Sequence, residues 1–143
     1  MGFTNFAHVG ITCKDTATIE RFYTKYFGFK RARLIPLSAD DQIIFLKSGS
    51  VYLELFKANA DSPTPPPQND GHPYPGLRHL AFEVDNVDAK LAELGSAAKI
   101  MLGPLNFDDF IAGWRGVWIA DPEGNIVEIS QGYFDQDTPP PLV

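Results

Sequence analysis

The chain has 143 residues, with 12 Lys and Arg against 18 Asp and Glu, so its formal net charge is −6. This acidic balance argues against a nucleic-acid partner, because neutralising phosphates requires a basic surface. Hydrophobic residues at 44% and aromatic residues at 13% are typical of a folded globular protein rather than a disordered one. Apolar runs are too short for a membrane span, and the N-terminal residues lack a signal-peptide pattern. A single cysteine, Cys13, cannot form an internal disulfide, so we predict a soluble cytoplasmic protein.

The first elements are predicted to be a strand, a helix and then more strands. Residues 6–13 alternate in the manner of a strand, with His8 and Cys13 on opposite faces. Apolar residues then recur at helical spacing: Ile19, Phe22, Tyr23, Tyr26 and Phe27. Asp15 or Thr16 is suited to cap this helix, and Gly28 to end it. Three strands are predicted after it, over residues 29–37, 42–47 and 51–57.

Residues 62–76 hold six prolines in fifteen residues. Proline lacks a backbone donor and restricts φ, so this segment is predicted to be an extended linker in which His72 is solvated. We therefore divide the chain into a module at 1–58, a linker at 59–76, a second module at 77–133 and a flexible tail at 134–143.

The second half repeats the order of the first. Residues 77–84 predict a strand, and residues 87–94 predict a helix that ends at Gly95. A short strand at 99–102 is followed by a predicted loop over 103–113. The last two strands are predicted at 116–120 and 125–130, around the turn at 121–124. This repetition indicates internal duplication.

Four residues carry the chemistry of this pattern: His8, Glu54, His79 and Glu128. Each module places a His on its first predicted strand and a Glu on its last, with similar spacings of 46 and 49 residues. A carboxylate among apolar strand residues is costly to bury unless it is paired, binds a metal or faces a wet cavity. Two imidazoles and two carboxylates suit a divalent ion such as Ni²⁺, Co²⁺, Mn²⁺, Fe²⁺ or Zn²⁺. The sequence therefore predicts one metal ion per site.

A second group of candidates lies in the second module. The loop at 103–113 and the strand after it carry large aromatic residues and an arginine, and loops of this kind often cover binding sites. We consider these residues as substrate contacts: Phe107, Phe110, Trp114, Arg115 and Trp118. Cys13 is assigned to core packing, because it lies on the strand face opposite His8.

The chain resembles the vicinal oxygen chelate superfamily, which includes glyoxalase I, methylmalonyl-CoA epimerase, extradiol dioxygenases, and fosfomycin and bleomycin resistance proteins. The matching stretches are HVGITCKDTATIERFYTKYFGF, VYLELF, GLRHLAFEVDNVDAKLAELG and WIADPEGNIVEIS. The resemblance implies an α+β fold in which two βαβββ modules pair as a curved, partly open barrel around a metal cavity. It also implies that His8, Glu54, His79 and Glu128 are the metal ligands.

Within the superfamily, the His/Glu/His/Glu order resembles bacterial-type glyoxalase I, which favours nickel or cobalt. The strand motifs are also similar to those of methylmalonyl-CoA epimerase, although that branch usually has Gln where this chain has Glu54. Bacterial glyoxalase I carries an Arg that contacts the glutathione carboxylate four residues after its first ligand, and this chain has Thr12 there. The sequence therefore leaves open whether glutathione is used.

Our principal hypothesis is a metal-dependent lyase or isomerase that acts on a small substrate with adjacent oxygens. A carbonyl held on the metal would be polarised, and Glu54 or Glu128, without preference, would remove the neighbouring proton to form an enediolate. One alternative is an Fe²⁺ extradiol-type dioxygenase, for which His8, His79 and Glu128 suffice. The other is a drug- or metabolite-binding protein of the bleomycin-resistance type that does not turn its ligand over.

We also predict a homodimer with two equivalent metal sites. Half-barrels expose strand edges that natural sheets normally cover, and two-fold dimers are the commonest oligomers. Related proteins of this length are commonly homodimers, as the resemblance implies. The sequence leaves open whether the modules pair within one chain or across two.

Overall fold

The computed structural model describes residues 2–142, and its contacts divide them into two compact units. One unit is formed by the described residues up to Pro66 together with Asp121–Asn125. The other is formed by Pro67–Ala120 and the described residues from Ile126 onward. Met1, in the predicted first module, and Val143, in the predicted tail, lie outside the described residues.

The first unit contains one helix and a four-stranded sheet. Its elements are β1 (His8–Cys13), α1 (Thr16–Tyr26), β2 (Lys30–Ser38), β3 (Asp41–Ser48) and β4 (Val51–Lys57). The strand order is β1-β4-β3-β2, with β1 parallel to β4 and the other neighbours antiparallel. Since α1 follows β1 and two strands intervene before β4, the parallel pair is made by a long crossover, as parallel pairing requires.

The helix α1 forms as its sequence pattern predicts. The Asp15 carboxylate caps it by accepting hydrogen bonds from the backbone N–H groups of Ala17 and Thr18. Its buried face contributes Ile19, Phe22 and Tyr23 to the core. The sheet supplies the opposing residues from alternate positions: Ile11, Cys13, Ile44, Leu46, Leu53 and Leu55.

The second unit repeats this architecture. Its elements are β5 (Leu80–Glu83), α2 (Val87–Leu94), a 3₁₀ turn (Gly95–Ala97), β6 (Lys99–Asn106), β7 (Arg115–Ala120) and β8 (Ile126–Gln131). The strand order is β5-β8-β7-β6, again with its first pair parallel. The α+β fold class and the duplicated βαβββ order are confirmed.

Two predicted elements of the second half were wrong in extent. The strand predicted at 77–84 begins only at Leu80, where pairing with Val127 of β8 starts, so His79 lies just before it. The loop predicted from residue 103 begins later, because β6 runs to Asn106. Gly and Pro at 103–104 signal a loop, but they lie at a register shift, after which Leu105 and Asn106 pair again with β7.

The proline-rich segment contains neither helix nor strand among the described residues 58–79. It is not uniformly solvated, because Gly71 is buried and Asp70 and His72 are half-buried. The His72 ring stacks on Tyr74, with ring centroids 4.6 Å apart. His72 is therefore partly exposed and partly covered by Tyr74, and it lies outside both His–Glu pairs.

Candidate metal site

The first unit brings His8 and Glu54 together. His8 is the first residue of β1, and Glu54 lies in the parallel neighbour β4, where it pairs in register with Gly10. Leu53 and Leu55 point into the core, so the strand alternation places Glu54 on the opposite face. His8 Nε2 lies 3.0 Å from Glu54 Oε1. The carboxylate side chain is 16% exposed and the imidazole 41%, so the pair is open to a ligand.

A shallow groove of about 250 Å³ adjoins this pair within the first unit. It is lined by Asn5, Phe6, Ala7, His8, Phe45, Ser50 and Tyr52. The edge of the His8 ring faces Phe45, and the ring centroids are 6.0 Å apart. The Lys47 ammonium lies 5.3 Å from the centroid of the Tyr52 ring. The groove therefore offers a mostly apolar wall with one cation near its edge.

The second unit forms the corresponding pair. His79 lies just before β5, and Glu128 is in β8, where it pairs with Ala81. His79 Nε2 lies 3.3 Å from Glu128 Oε1, and both side chains are about one-fifth exposed (19% and 20%). The same two residue types thus meet through the same strand pairing in both units.

One contact of this second pair was not predicted from the sequence. His79 Nδ1 lies 2.6 Å from the backbone carbonyl oxygen of Asp70, in the proline-rich segment. The Asp-Gly dipeptide at 70–71 is a turn signal, and this signal could have predicted that the segment turns here instead of running extended.

The aromatic candidates of the second unit divide into two groups. Phe107 lies 4.9 Å from Trp114 and 6.2 Å from Trp118, between ring centroids. Trp118 pairs in register with Glu128, and its ring is 6.3 Å from His79. Its indole Nε1 is buried without a hydrogen-bond partner among the described residues. These three rings therefore form an aromatic wall beside the His79–Glu128 pair.

Phe110 and Arg115 are placed differently. Phe110 is 78% exposed. The Arg115 guanidinium donates to Asp88 at 2.8 Å and to Asn106 at 2.8 Å. The structure therefore engages Arg115 with α2 and β6, while Phe110 has a largely free surface.

The comparisons with known proteins agree with this architecture. The family model described as the Glyoxalase/Bleomycin resistance protein/Dioxygenase superfamily matches residues 5–129. The chain belongs to this superfamily. That span includes all four His and Glu candidates.

Individual superfamily relatives match nearly the whole chain. YaeR of Escherichia coli (strain K12), an uncharacterized protein, is 29% identical over 131 residues, which cover 90% of this chain and 97% of YaeR. The crystal structure of a glyoxalase family protein from Enterococcus faecalis is 30% identical, with a TM-score of 0.67 and coverage of 91% and 99%. A lactoylglutathione lyase from Agrobacterium tumefaciens shares the fold, with a TM-score of 0.61 at 24% identity and coverage of 92% and 96%.

The donors fit the divalent metal ion typical of this superfamily, because imidazole nitrogens and carboxylate oxygens suit borderline cations. Each unit supplies one nitrogen and one carboxylate from side chains already in contact. Within residues 2–142, no group of three or more His, Cys, Asp or Glu side chains has a geometry that could hold a metal ion. The structure therefore shows two separate His–Glu pairs, one in each unit.

Cys13 is not part of either His–Glu pair. Its side chain is fully buried, and its thiol lies 3.7 Å from the carbonyl oxygen of Ile11. Burial, followed by the nearby carboxylates Glu123, Asp121 and Asp15, raises the pKa of the Cys13 thiol to about 12. A buried thiol that holds its proton is a poor nucleophile, so its assignment to the core is confirmed.

None of the helices in the described part of the chain is long and apolar enough to cross a membrane.

Proposed function

We propose that this chain is a divalent-metal-dependent lyase or isomerase of the glyoxalase type, acting on a small molecule with two adjacent oxygen atoms. The observation that carries the proposal is the His–Glu pair repeated in both units, at 3.0 and 3.3 Å. The two pairs occupy equivalent positions, since Glu54 pairs in register with Gly10, two residues after His8, and Glu128 with Ala81, two residues after His79.

In this proposal His8, Glu54, His79 and Glu128 together hold the cation. Two ligands bind a divalent ion weakly, so all four side chains are proposed to contribute to the coordination shell. The cation would supply Lewis acidity for the negative charge that develops on a substrate oxygen when the adjacent carbon loses its proton.

The protein residues have separate roles in the proposed reaction. His8 and His79 serve as neutral ligands, and either Glu54 or Glu128 accepts the proton from carbon and returns it to the neighbouring atom. A carboxylate held beside its substrate in a partly dehydrated site can act as this base. The aromatic wall of Phe107, Trp114 and Trp118 would exclude water from the side of the site next to His79.

The substrate is proposed to be small and partly apolar. The groove beside His8 has a volume of only about 250 Å³ and is lined mainly by aromatic and aliphatic residues. Thr12 replaces the arginine that would bind a glutathione carboxylate, so a substrate without glutathione is favoured. The predicted cytoplasmic location stays a prediction.

Metal binding provides the first test. The chelator-treated protein is titrated with Ni²⁺, Co²⁺, Zn²⁺, Mn²⁺ and anaerobic Fe²⁺, and bound metal is quantified by mass spectrometry. We expect one ion per chain in the wild type and its loss in His79→Ala and Glu128→Gln. Glu83→Gln is the matched control, because Glu83 is an exposed carboxylate on β5 and should leave the metal content unchanged.

Proton transfer provides the second test. The metal-loaded protein is incubated in D₂O with a panel of 2-hydroxyketones and thiohemiacetals of 2-oxoaldehydes, and ¹H NMR follows hydrogen exchange at carbon. Removing the base, by Glu54→Gln or Glu128→Gln, should slow exchange by about 10²–10⁴-fold.

Equal metal content in wild type and His79→Ala would contradict the site. Oxygen uptake with catechols after iron loading would instead indicate a dioxygenase, and metal-independent ligand binding without turnover would indicate a binding protein.

A further inference from the structure

Residues 68–71, at the end of the proline-rich segment, form a tight turn in the second unit. The Gly71 N–H donates to the carbonyl oxygen of Gln68 at 3.0 Å, and Asn69 adopts a positive φ of 55°. Gly71 is buried and has φ 126°, a conformation that side-chain-bearing residues rarely adopt. We refer to residues 68–71 as the 68–71 turn.

Two contacts hold the 68–71 turn against the residues that lead into β5. Arg78 Nη1 lies 3.1 Å from both carboxylate oxygens of Asp70. Gly71 packs directly on the backbone of Arg78, so closely that a Cβ added to it would collide with the Arg78 carbonyl oxygen. The turn is thus tied to Arg78 by an ion pair and by close backbone packing.

The consequence falls on His79, the next residue. With the turn in place, the Asp70 carbonyl oxygen lies 2.6 Å from His79 Nδ1. A carbonyl oxygen only accepts hydrogen bonds, so Nδ1 must carry the hydrogen. With the Nδ1 hydrogen directed at Asp70, Nε2 is the nitrogen left for a ligand, and it lies 3.3 Å from Glu128 Oε1, so a proton or a cation must lie between these two acceptor atoms.

We propose that the 68–71 turn is a positioning element that selects the tautomer and orientation of His79, so that Nε2 is the ligating nitrogen. This inference rests on the proposed metal function. It also makes the two histidines inequivalent, because His8 Nδ1 has no hydrogen-bond partner among residues 2–142. His79 is the ligand arranged in advance, and Asp70, Gly71 and Arg78 act on the metal only through it.

The tautomer is measured directly on metal-free protein. Long-range ¹H–¹⁵N correlation spectra of ¹⁵N-histidine-labelled protein, recorded at about pH 8, where an unperturbed imidazole is neutral, distinguish protonated from unprotonated ring nitrogens. We expect His79 to carry its hydrogen on Nδ1, and spectra of His79→Gln assign its signals. Finding Nδ1 of His79 without a hydrogen in the wild type would overturn the proposal whether or not the protein binds metal.

Glycine variants test the role of the turn. Gly71→Ala should displace the Asp70 carbonyl, release His79 to a mixture of tautomers and weaken Co²⁺ binding by about 10–100-fold, the usual effect of losing a partner of a ligating histidine. Gly76→Ala is the matched control, since Gly76 lies in the same segment with φ 147° but has open space around its Cβ position. It carries similar backbone strain and should keep the wild-type tautomer and Co²⁺ affinity.

The outcomes separate the two proposals. Co²⁺ binding that is lost in His79→Ala but unchanged in a folded Gly71→Ala would overturn the role of the turn and leave the metal site intact. Wild-type protein that binds no Co²⁺ would overturn the proposed function. If Gly71→Ala does not fold, Arg78→Gln decides by the same two measurements: an unchanged tautomer and affinity overturn the proposal, while weaker binding that Arg78→Lys restores supports it.

Discussion

At the residue scale, the buried carboxylate of Asp121 is the main polar group of the first unit's interior. Its Oδ2 accepts hydrogen bonds from the Tyr23 hydroxyl at 2.8 Å and from Asn125 Nδ2 at 2.9 Å. Its Oδ1 accepts from the backbone N–H groups of Glu123 and Asn125. A buried carboxylate is tolerated only with such a full set of donors. This side chain therefore ties the 121–125 turn to α1 within the first unit.

Tyr23 keeps its hydrogen in this arrangement. Burial, followed by the charge and hydrogen bond of Asp121, raises the pKa of the Tyr23 hydroxyl well above its ordinary value. The hydroxyl is thus a permanent donor to the carboxylate across the pH range in which proteins are usually studied.

Replacing Tyr23 by Phe should destabilise the protein by about 1.5–3 kcal/mol, because a buried hydrogen bond to a charged group is lost. Urea unfolding followed by circular dichroism measures the change. Tyr133→Phe is the control, since that hydroxyl also donates to a carboxylate at 2.8 Å, on Asp135, but in an exposed position. We expect little change there, and equal losses in the two variants would contradict the role assigned to the buried pair.

At the element scale, helix α2 begins with two side-chain caps. The Asn86 side chain accepts from the Ala89 N–H at 2.8 Å, as an N-cap residue does. Gln131, at the end of β8, accepts from the Val87 N–H at 2.6 Å. The first contact is local, between residues three positions apart. The second joins residues 44 positions apart and needed the folded sheet.

Asn86→Ala should lower the free energy of unfolding by about 0.5–2 kcal/mol, because one N–H group of the first turn loses its acceptor. Asn86→Asp retains an acceptor oxygen and should stay close to the wild type. Thermal unfolding monitored at the helical circular dichroism band compares them. An Asp variant as unstable as the Ala variant would show that Asn86 stabilises the protein by some means other than capping.

At the scale of the whole molecule, both sheets leave apolar residues exposed on their outer strands. These are Ile35 and Leu37 on β2, and Ile100 and Leu105 on β6. Open edges with exposed apolar side chains are usually covered by pairing or association. This feature supports the predicted homodimer, although it leaves open which modules pair.

Light scattering coupled to gel filtration at micromolar concentration measures the assembly. We expect a mass near twice the chain mass of 15.8 kDa. Because both His–Glu pairs supply metal ligands in the proposed function, the mass should be measured with and without added Co²⁺. A mass near 15.8 kDa under both conditions would contradict the homodimer.

The sequence by itself determined the duplicated βαβββ order and the two helices, and it singled out His8, Glu54, His79 and Glu128 as a set. These features depend on short-range signals: alternation along strands, helical spacing, caps and turns, read twice along the chain. The contact between His8 and Glu54 was not predicted, because it depends on the parallel pairing of β1 with β4, which only the folded sheet shows.

Only the tertiary structure decided which backbone groups complete these elements. β5 starts late and β6 ends late because pairing with β8 and β7 sets their limits, and local Gly and Pro signals do not report such pairing. The hydrogen bond from Tyr23 to Asp121 spans 98 residues. The contact between His79 and the Asp70 carbonyl depends on a turn held by Arg78. A backbone carbonyl has no residue-type signature, so its role appears only when the chain has folded around it.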